Sequence, residues 1–136
     1  MSTGELHPHE RLVRDYLRAL EGGADEARLR SFFAPGVRQR EFPNRLLDAG
    51  AERDLEALLA GSRKGRLVIQ DQRYAVKQVL TAGDRVAIEL DWSGELKVPL
   101  GNTPAGGTLR AHCAVFFRIE HGLIAEQHNY DCFERF

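Results

Sequence analysis

The last third of the chain alternates. From Thr108 to Ile119, residues Leu109, Ala111, Cys113, Val115, Phe117 and Ile119 fall on one face, and Arg110, His112, Ala114, Phe116 and Arg118 on the other. A period of two over this length predicts a β-strand. The turn predicted after it is Glu120-His121-Gly122, a three-residue loop with glycine in the left-handed position followed by a bulge. That loop sets Ile119 opposite Leu123, Val115 opposite Gln127, Cys113 opposite Asn129 and Ala111 opposite Asp131. Opposed residues share a face, so an apolar strand face meets three polar side chains. Buried polar groups are costly without partners, and the small Ala111 and Cys113 leave room beside them. An apolar, roomy face with a few convergent polar groups predicts a ligand pocket. The competing expectation is that this end of the hairpin is simply wet, above all at Asp131 near the chain end.

Upstream, the period changes to that of helices. Leu12, Val13, Tyr16, Leu17 and Leu20 form one helical stripe over residues 7–21, ended by Gly22-Gly23. Asp25 is a predicted N-cap for a short second helix with Leu29, Phe32 and Phe33 inward, stopped by Ala34-Pro35-Gly36. A short strand is expected over 37–42, with either Gln39 and Glu41 or Arg38, Arg40 and Phe42 facing inward. A third helix is predicted over 48–63, with Leu55, Leu58 and Leu59 as its stripe. Strands follow at 67–80 and 85–93, the second with Val86, Ile88, Leu90 and Trp92 on one face. The Gly- and Pro-rich segment 94–107 is expected to be a loop or flap. Helices first and a run of antiparallel strands after predict an α+β fold, with the N-terminal helices packed on one face of a curved sheet. The outer face, with Ala114, Phe116, Ile124, Tyr130, His112 and His128, is too apolar for plain solvent and predicts a homodimer contact.

Composition narrows the classes. The 136 residues suit one domain, 1–136. A net charge of −1 argues against a nucleic-acid partner. No apolar run reaches membrane-span length, and the first ten residues lack the apolar stretch of a signal peptide. The two cysteines form no Cys/His cluster, so no metal site is expected. Cys113 and Cys132 lie on opposite faces by parity, which argues against a disulfide and for a cytoplasmic protein with reduced thiols. No Gly-rich phosphate loop joins a strand to a helix, and no cofactor is expected.

Three stretches carry a family resemblance: Phe32-Phe33-Ala34-Pro35 closing the helix pair, the Gly83-Asp84-Arg85-Val86 turn, and Gly122-Leu123-Ile124 leading to Asn129-Tyr130-Asp131. In this order they resemble the nuclear transport factor 2-like superfamily, in its SnoaL-like polyketide cyclase branch. The resemblance runs along nearly the whole chain. It implies a cone-shaped fold around a small-molecule cavity, and commonly a dimer. The superfamily hosts ketosteroid isomerases, polyketide cyclases, epoxide hydrolases, dehydratases and plain binding domains, so fold does not select a chemistry. Epoxide hydrolases of this fold use an Arg-x-Asp pair and a carboxylate on the last strand. The matching positions here look like Arg85-Val86-Ala87 and Asn129, without either carboxylate. Dehydratase chemistry wants a pocket His–Asp pair, whereas His112 and His128 fall on the outer face.

What the resemblance leaves is isomerase or cyclase chemistry. A carboxylate in an apolar pocket removes a proton next to a carbonyl, and a donor steadies the enolate oxygen. The expected base is Asp131 or Glu41, with Asp91 outside because its parity opposes that of Trp92. The expected ligand contacts on the hairpin are Asn129, Gln127, Cys113 and Val115. Trp92, Tyr16 and Phe33 join them from elsewhere in the chain. The expected partner is a small, mainly apolar organic molecule. The alternative, from a different class, is a non-catalytic binding or interaction module of the same fold.

Overall fold

The structure, a computed structural model, describes residues 6–136. The signal-peptide expectation for the first ten residues falls partly outside them. The element order is α1 (Pro8–Glu21), α2 (Glu26–Arg30), β1 (Phe33–Glu41), β2 (Ala51–Arg53), α3 (Leu55–Gly65), β3 (Ile69–Ala82), β4 (Arg85–Leu96), β5 (Thr108–Glu120) and β6 (Leu123–Phe133). The fold is α+β. Its sheet runs β2-β1-β6-β5-β4-β3 and is mixed, because β1 pairs with β6 in parallel while every other pairing is antiparallel. The sheet is antiparallel, as expected, in four of its five pairings, and β1–β6 is the exception. A helix-bearing connection between β1 and the rest of the sheet lets a parallel pair form.

Local chemistry starts each helix. Asp25 caps α2 by accepting from the Arg28 N–H, and Asp54 caps α3 by accepting from the Ala57 N–H, each at 2.9 Å. That second cap sets where α3 begins. The helix predicted over 48–63 begins only after Asp54, and Ala51–Arg53 instead forms the edge strand β2. Pro35 and Gly36 do not stop a helix either. They lie within β1, which starts at Phe33 and carries a register shift between Phe33 and Arg38. Likewise β4 continues past Ser93 to Leu96, shortening the predicted loop.

The C-terminal hairpin has a different turn from the one expected. His121 and Gly122 both hold positive φ, 52° and 74°, as a two-residue type I′ turn requires. Glu120 therefore pairs with Leu123 and Ile119 with Ile124. An extra residue, Ala125, then bulges out before Arg118 meets Glu126. Together they slide the expected register by two residues. Cys113 faces Asp131 rather than Asn129, Val115 faces Asn129, Phe117 faces Gln127 and Ala111 faces Phe133. Parity survives a two-residue slide, so Gln127, Asn129 and Asp131 keep the inner face. Ile124 lies before the bulge and is wholly buried in the core, which corrects its placement on the outer face.

The core joins Val13, Tyr16 and Leu17 of α1 to Leu29, Phe32, Phe33, Leu59 and the inner faces of β4, β5 and β6. Phe116 and Tyr130 do face outward, at 50% and 42% exposure, and Phe42 stacks on Tyr130 at 4.3 Å between ring centres.

Candidate functional site

A cavity of about 500 Å³ opens between the helices and the inner face of the sheet. Such a volume holds a drug-sized organic molecule. It exists because small residues face one another across it: Gly61, Ser62 and Gly65 from α3, and Ala111 and Cys113 from β5. Its body is apolar, with Leu17, Leu20, Leu58, Leu90, Val115 and Phe117 among the lining. Leu46, Val68 and Val98 line it yet are 39–41% exposed, and so mark the mouth. Gly94 is required near Trp92, since a Cβ there would meet the Ile69 side chain at 2.6 Å and the indole at 3.0 Å.

Two polar clusters interrupt this lining. The first joins β1, β2 and β6. Parallel pairing sets Gln39 beside Gln127 and Glu41 beside Asn129, which resolves the open choice for β1: Gln39 and Glu41 face inward. Across the β1–β2 pairing, Gln39 lies opposite Arg53. The Arg53 Nη1 donates to Gln39 Oε1 at 3.0 Å and to Glu41 Oε1 at 2.9 Å. Asn44 Nδ2 donates to the other Glu41 oxygen at 2.8 Å. Gln39 Nε2 and Gln127 Nε2 both donate to Asn129 Oδ1, at 2.9 and 3.0 Å. The second cluster lies on β3 and β4, where Trp92 Nε1 and the Tyr74 hydroxyl both donate to Gln72 Oε1, at 3.0 and 3.3 Å.

Asp131 stands apart from both clusters. No cation pairs with it among the described residues, and its neighbour is the Cys113 thiol directly across the hairpin. Burial raises its pKa, the Cys113 contact opposes that, and the nearby Glu41 charge adds to it. Burial likewise pushes the Cys113 thiol far up, with the Asp131 carboxylate reinforcing the shift. The Tyr16 phenol is pushed up to about 12 by burial, with the neighbouring Gln127 amide acting against it. Tyr74 is raised by burial too, and by the charges it would meet at Tyr16, Cys113 and Asp131. At neutral pH the cavity therefore holds a neutral thiol and neutral phenols, beside a carboxylate that burial makes more basic and that no cation pairs among the described residues.

Of the residues predicted for the site, Asp131, Glu41, Asn129, Gln127, Cys113, Val115, Trp92 and Tyr16 line this one cavity. Phe33 does not. It is buried in the core against the Tyr16 ring, 5.2 Å between ring centres. Asp91 and His112 lie outside, bonded to each other at 2.8 Å, with Glu134 on the other imidazole nitrogen at 3.1 Å. Arg53, Gln72 and Tyr74 were missed. The signal for Arg53 was Asp54, a helix cap placed just after it, which takes residues 51–53 out of the helix. Gln72 and Tyr74 were hidden because β3 shifts register twice, between Gln70 and Arg73 and between Val76 and Gln78, so its alternation breaks. Among the described residues no cluster of His, Cys, Asp and Glu has the arrangement of a metal site, and no helix is long and apolar enough to cross a membrane.

A family model described as a SnoaL-like domain matches residues 13–127. IdmH, a proposed polyketide cyclase from Streptomyces antibioticus, is similar in structure with a TM-score of 0.77 at 21% identity, over 92% of each chain. A proposed SnoaL-like polyketide cyclase from Jannaschia sp. CCS1 gives 0.73 at 18% identity, over 94% of this chain and 91% of that one. TsrD from Streptomyces laurentii gives 0.70 at 25% identity, over 93% and 91%. No curated protein matches the chain.

Proposed function

The chain belongs to the SnoaL-like domain family, and on that premise we propose that its cavity binds a small, mainly apolar carbonyl compound and that Asp131 removes a proton from the carbon next to the carbonyl. The observation that carries this reading is the contrast between the two cavity carboxylates. Glu41 has both oxygens engaged, by Arg53 and by Asn44. Asp131 has neither a cation nor an amide on it among the described residues, its contact being the Cys113 thiol, and burial raises its pKa. A carboxylate made more basic by desolvation is a better proton acceptor near neutral pH. The enolate oxygen formed would be steadied by donors that stay protonated, the phenol of Tyr16 and the amide of Asn129. The reaction is of the isomerase or cyclase type and uses no cofactor.

The test is deuterium uptake next to the carbonyl of 2-tetralone, an apolar bicyclic ketone, followed by NMR in heavy water. The wild-type protein should accelerate exchange. Asp131→Asn should lower that rate on the order of a hundredfold or more, while Glu41→Gln keeps most of it. Exchange that survives both substitutions, or that is never accelerated, removes the catalytic reading. One observation favours the second reading, a binding module: the amides and the ion pair around Asn129 largely satisfy one another, as in a wall built to orient a ligand.

A further inference from the structure

The first polar cluster has a direction. A guanidinium only donates hydrogen bonds. Arg53 Nη1 therefore claims the oxygen of the Gln39 amide. That turns Gln39 Nε2 towards β6, where it needs an acceptor, and Asn129 presents Oδ1 to it. The Asn129 amide is then fixed, with its oxygen in the wall and its Nδ2 as the part left for the cavity. Gln127 must bring its own Nε2 to the same oxygen. Its Oε1 is left buried, with no hydrogen-bond partner among the described residues. A buried acceptor without a donor is unfavourable, and an amide free to choose would turn to avoid it. Gln127 cannot turn, because its oxygen would then oppose Asn129 Oδ1. The orphaned atom thus reports an orientation imposed from the far end of the chain of amides.

We propose that Arg53 is a positioning residue that sets the direction of this amide relay, so that Asn129 offers an N–H, and not an oxygen, to the carbonyl of a bound ligand. The inference rests on the cavity being a small-molecule site, but not on proton transfer by Asp131. Arg53 acts through Gln39. Its position comes from β2, whose pairing puts it across from Gln39, and from the ion pair with Glu41 that holds its Nη1 in place. The cavity would accordingly select ligands with an acceptor oxygen at this wall.

The experiment compares 2-tetralone with tetralin, its oxygen-free analogue, using quenching of Trp92, the single tryptophan, which lines the cavity. The wild-type protein should bind the ketone more tightly on the order of tenfold, the scale of one hydrogen bond at a desolvated site. Arg53→Met frees the relay to reverse and should bring the ratio of the two affinities near one. Arg53→Lys, also a pure donor, should retain most of it. A purely structural role for Arg53 would weaken both probes alike and leave their ratio unchanged, and that result overturns the proposal. The two readings fail separately: wild-type protein that never accelerates exchange yet keeps the affinity ratio, with the ratio lost in Arg53→Met, loses only the proton-transfer reading. A ratio that vanishes in Asp131→Asn and persists in Arg53→Met assigns the discrimination elsewhere and also overturns it. Wild-type protein that binds neither probe overturns the cavity reading and this inference together. If Arg53→Met does not fold, side-chain amide NMR of the wild-type protein decides. The Asn129 Nδ2 protons should shift on adding 2-tetralone and not on adding tetralin, and no shift overturns the proposal.

Discussion

Gly50 sits where the chain returns from β1 to β2, with φ of +65°. A Cβ built on it would lie 2.3 Å from the Glu41 carbonyl oxygen, 3.0 Å from the Pro43 nitrogen and 3.1 Å from the Phe42 carbonyl carbon. All three are backbone atoms, so no side chain can swing aside. Gly50→Ala should therefore cost in two ways. Left-handed backbone costs an alanine about 1–2 kcal/mol, and displacing packed backbone adds about 1–3 kcal/mol more. The sum is about 3 kcal/mol. Gly83→Ala is the internal control: its φ is +58°, and a Cβ there meets nothing within 4 Å. It should show the conformational cost alone, about 1–2 kcal/mol. Urea denaturation of both variants measures the difference. At a slope near 2 kcal/mol per molar, Gly50→Ala should lower the midpoint by roughly 1.5 M. Because the shifted backbone carries Glu41, 2-tetralone affinity should fall in Gly50→Ala and hold in Gly83→Ala. Equal costs for the two variants would refute the argument, since the close approach would then carry no energy.

Three further outcomes are expected. Burial raises the Asp131 pKa in the folded state, so this group's stabilising contribution is full below the unfolded carboxyl value, about 3.9, and is lost as pH rises through the folded value. Asp131→Asn should thus gain in melting temperature over wild type as pH rises from about 4 to 7, and a gap that shrinks with pH contradicts the burial argument. Cys132 is exposed and Cys113 buried with a raised pKa, so a disulfide reagent should label one thiol quickly in the native protein and both in urea. Two fast thiols would show that Cys113 is not shielded. We also propose a homodimer through the outer face around Phe116, Tyr130 and Phe42. Light scattering should give twice the chain mass and Phe116→Glu a monomer, and a monomeric wild type ends that idea.

What could be read in the sequence was whatever depends on parity and local caps. The alternation of 109–119 put Gln127, Asn129 and Asp131 on one face with Cys113, and Asp25 was legible as a cap. What could not be read depends on backbone exceptions. The type I′ turn needs a non-glycine residue, His121, at positive φ, and nothing about a histidine announces that. The bulge at Ala125 restored the parity that the shorter turn would have reversed, which is why the polar face was right while its partners were wrong. Gln39 and Glu41 could not be oriented from their own strand, because the pairing that orients them is with β6, some ninety positions away in the chain.

That parallel pairing bears on how the site comes into being. The hydrogen bond from Gln39 to Asn129 spans 90 positions, and closing so large a loop is entropically slow relative to forming helices or hairpins. The hairpin β5–β6 and the meander β3–β4–β5 are local in the chain and fit early folding. The wall with Gln39, Arg53, Gln127 and Asn129 is complete only when the first and last parts of the chain have met. No fragment that lacks either terminal part would contain it. A ligand that needs this wall engages the folded chain and not its partly folded forms, and its binding energy is added to global stability rather than to one element. Amides throughout the sheet, and not only those near the cavity, would then exchange with solvent more slowly once the cavity is filled.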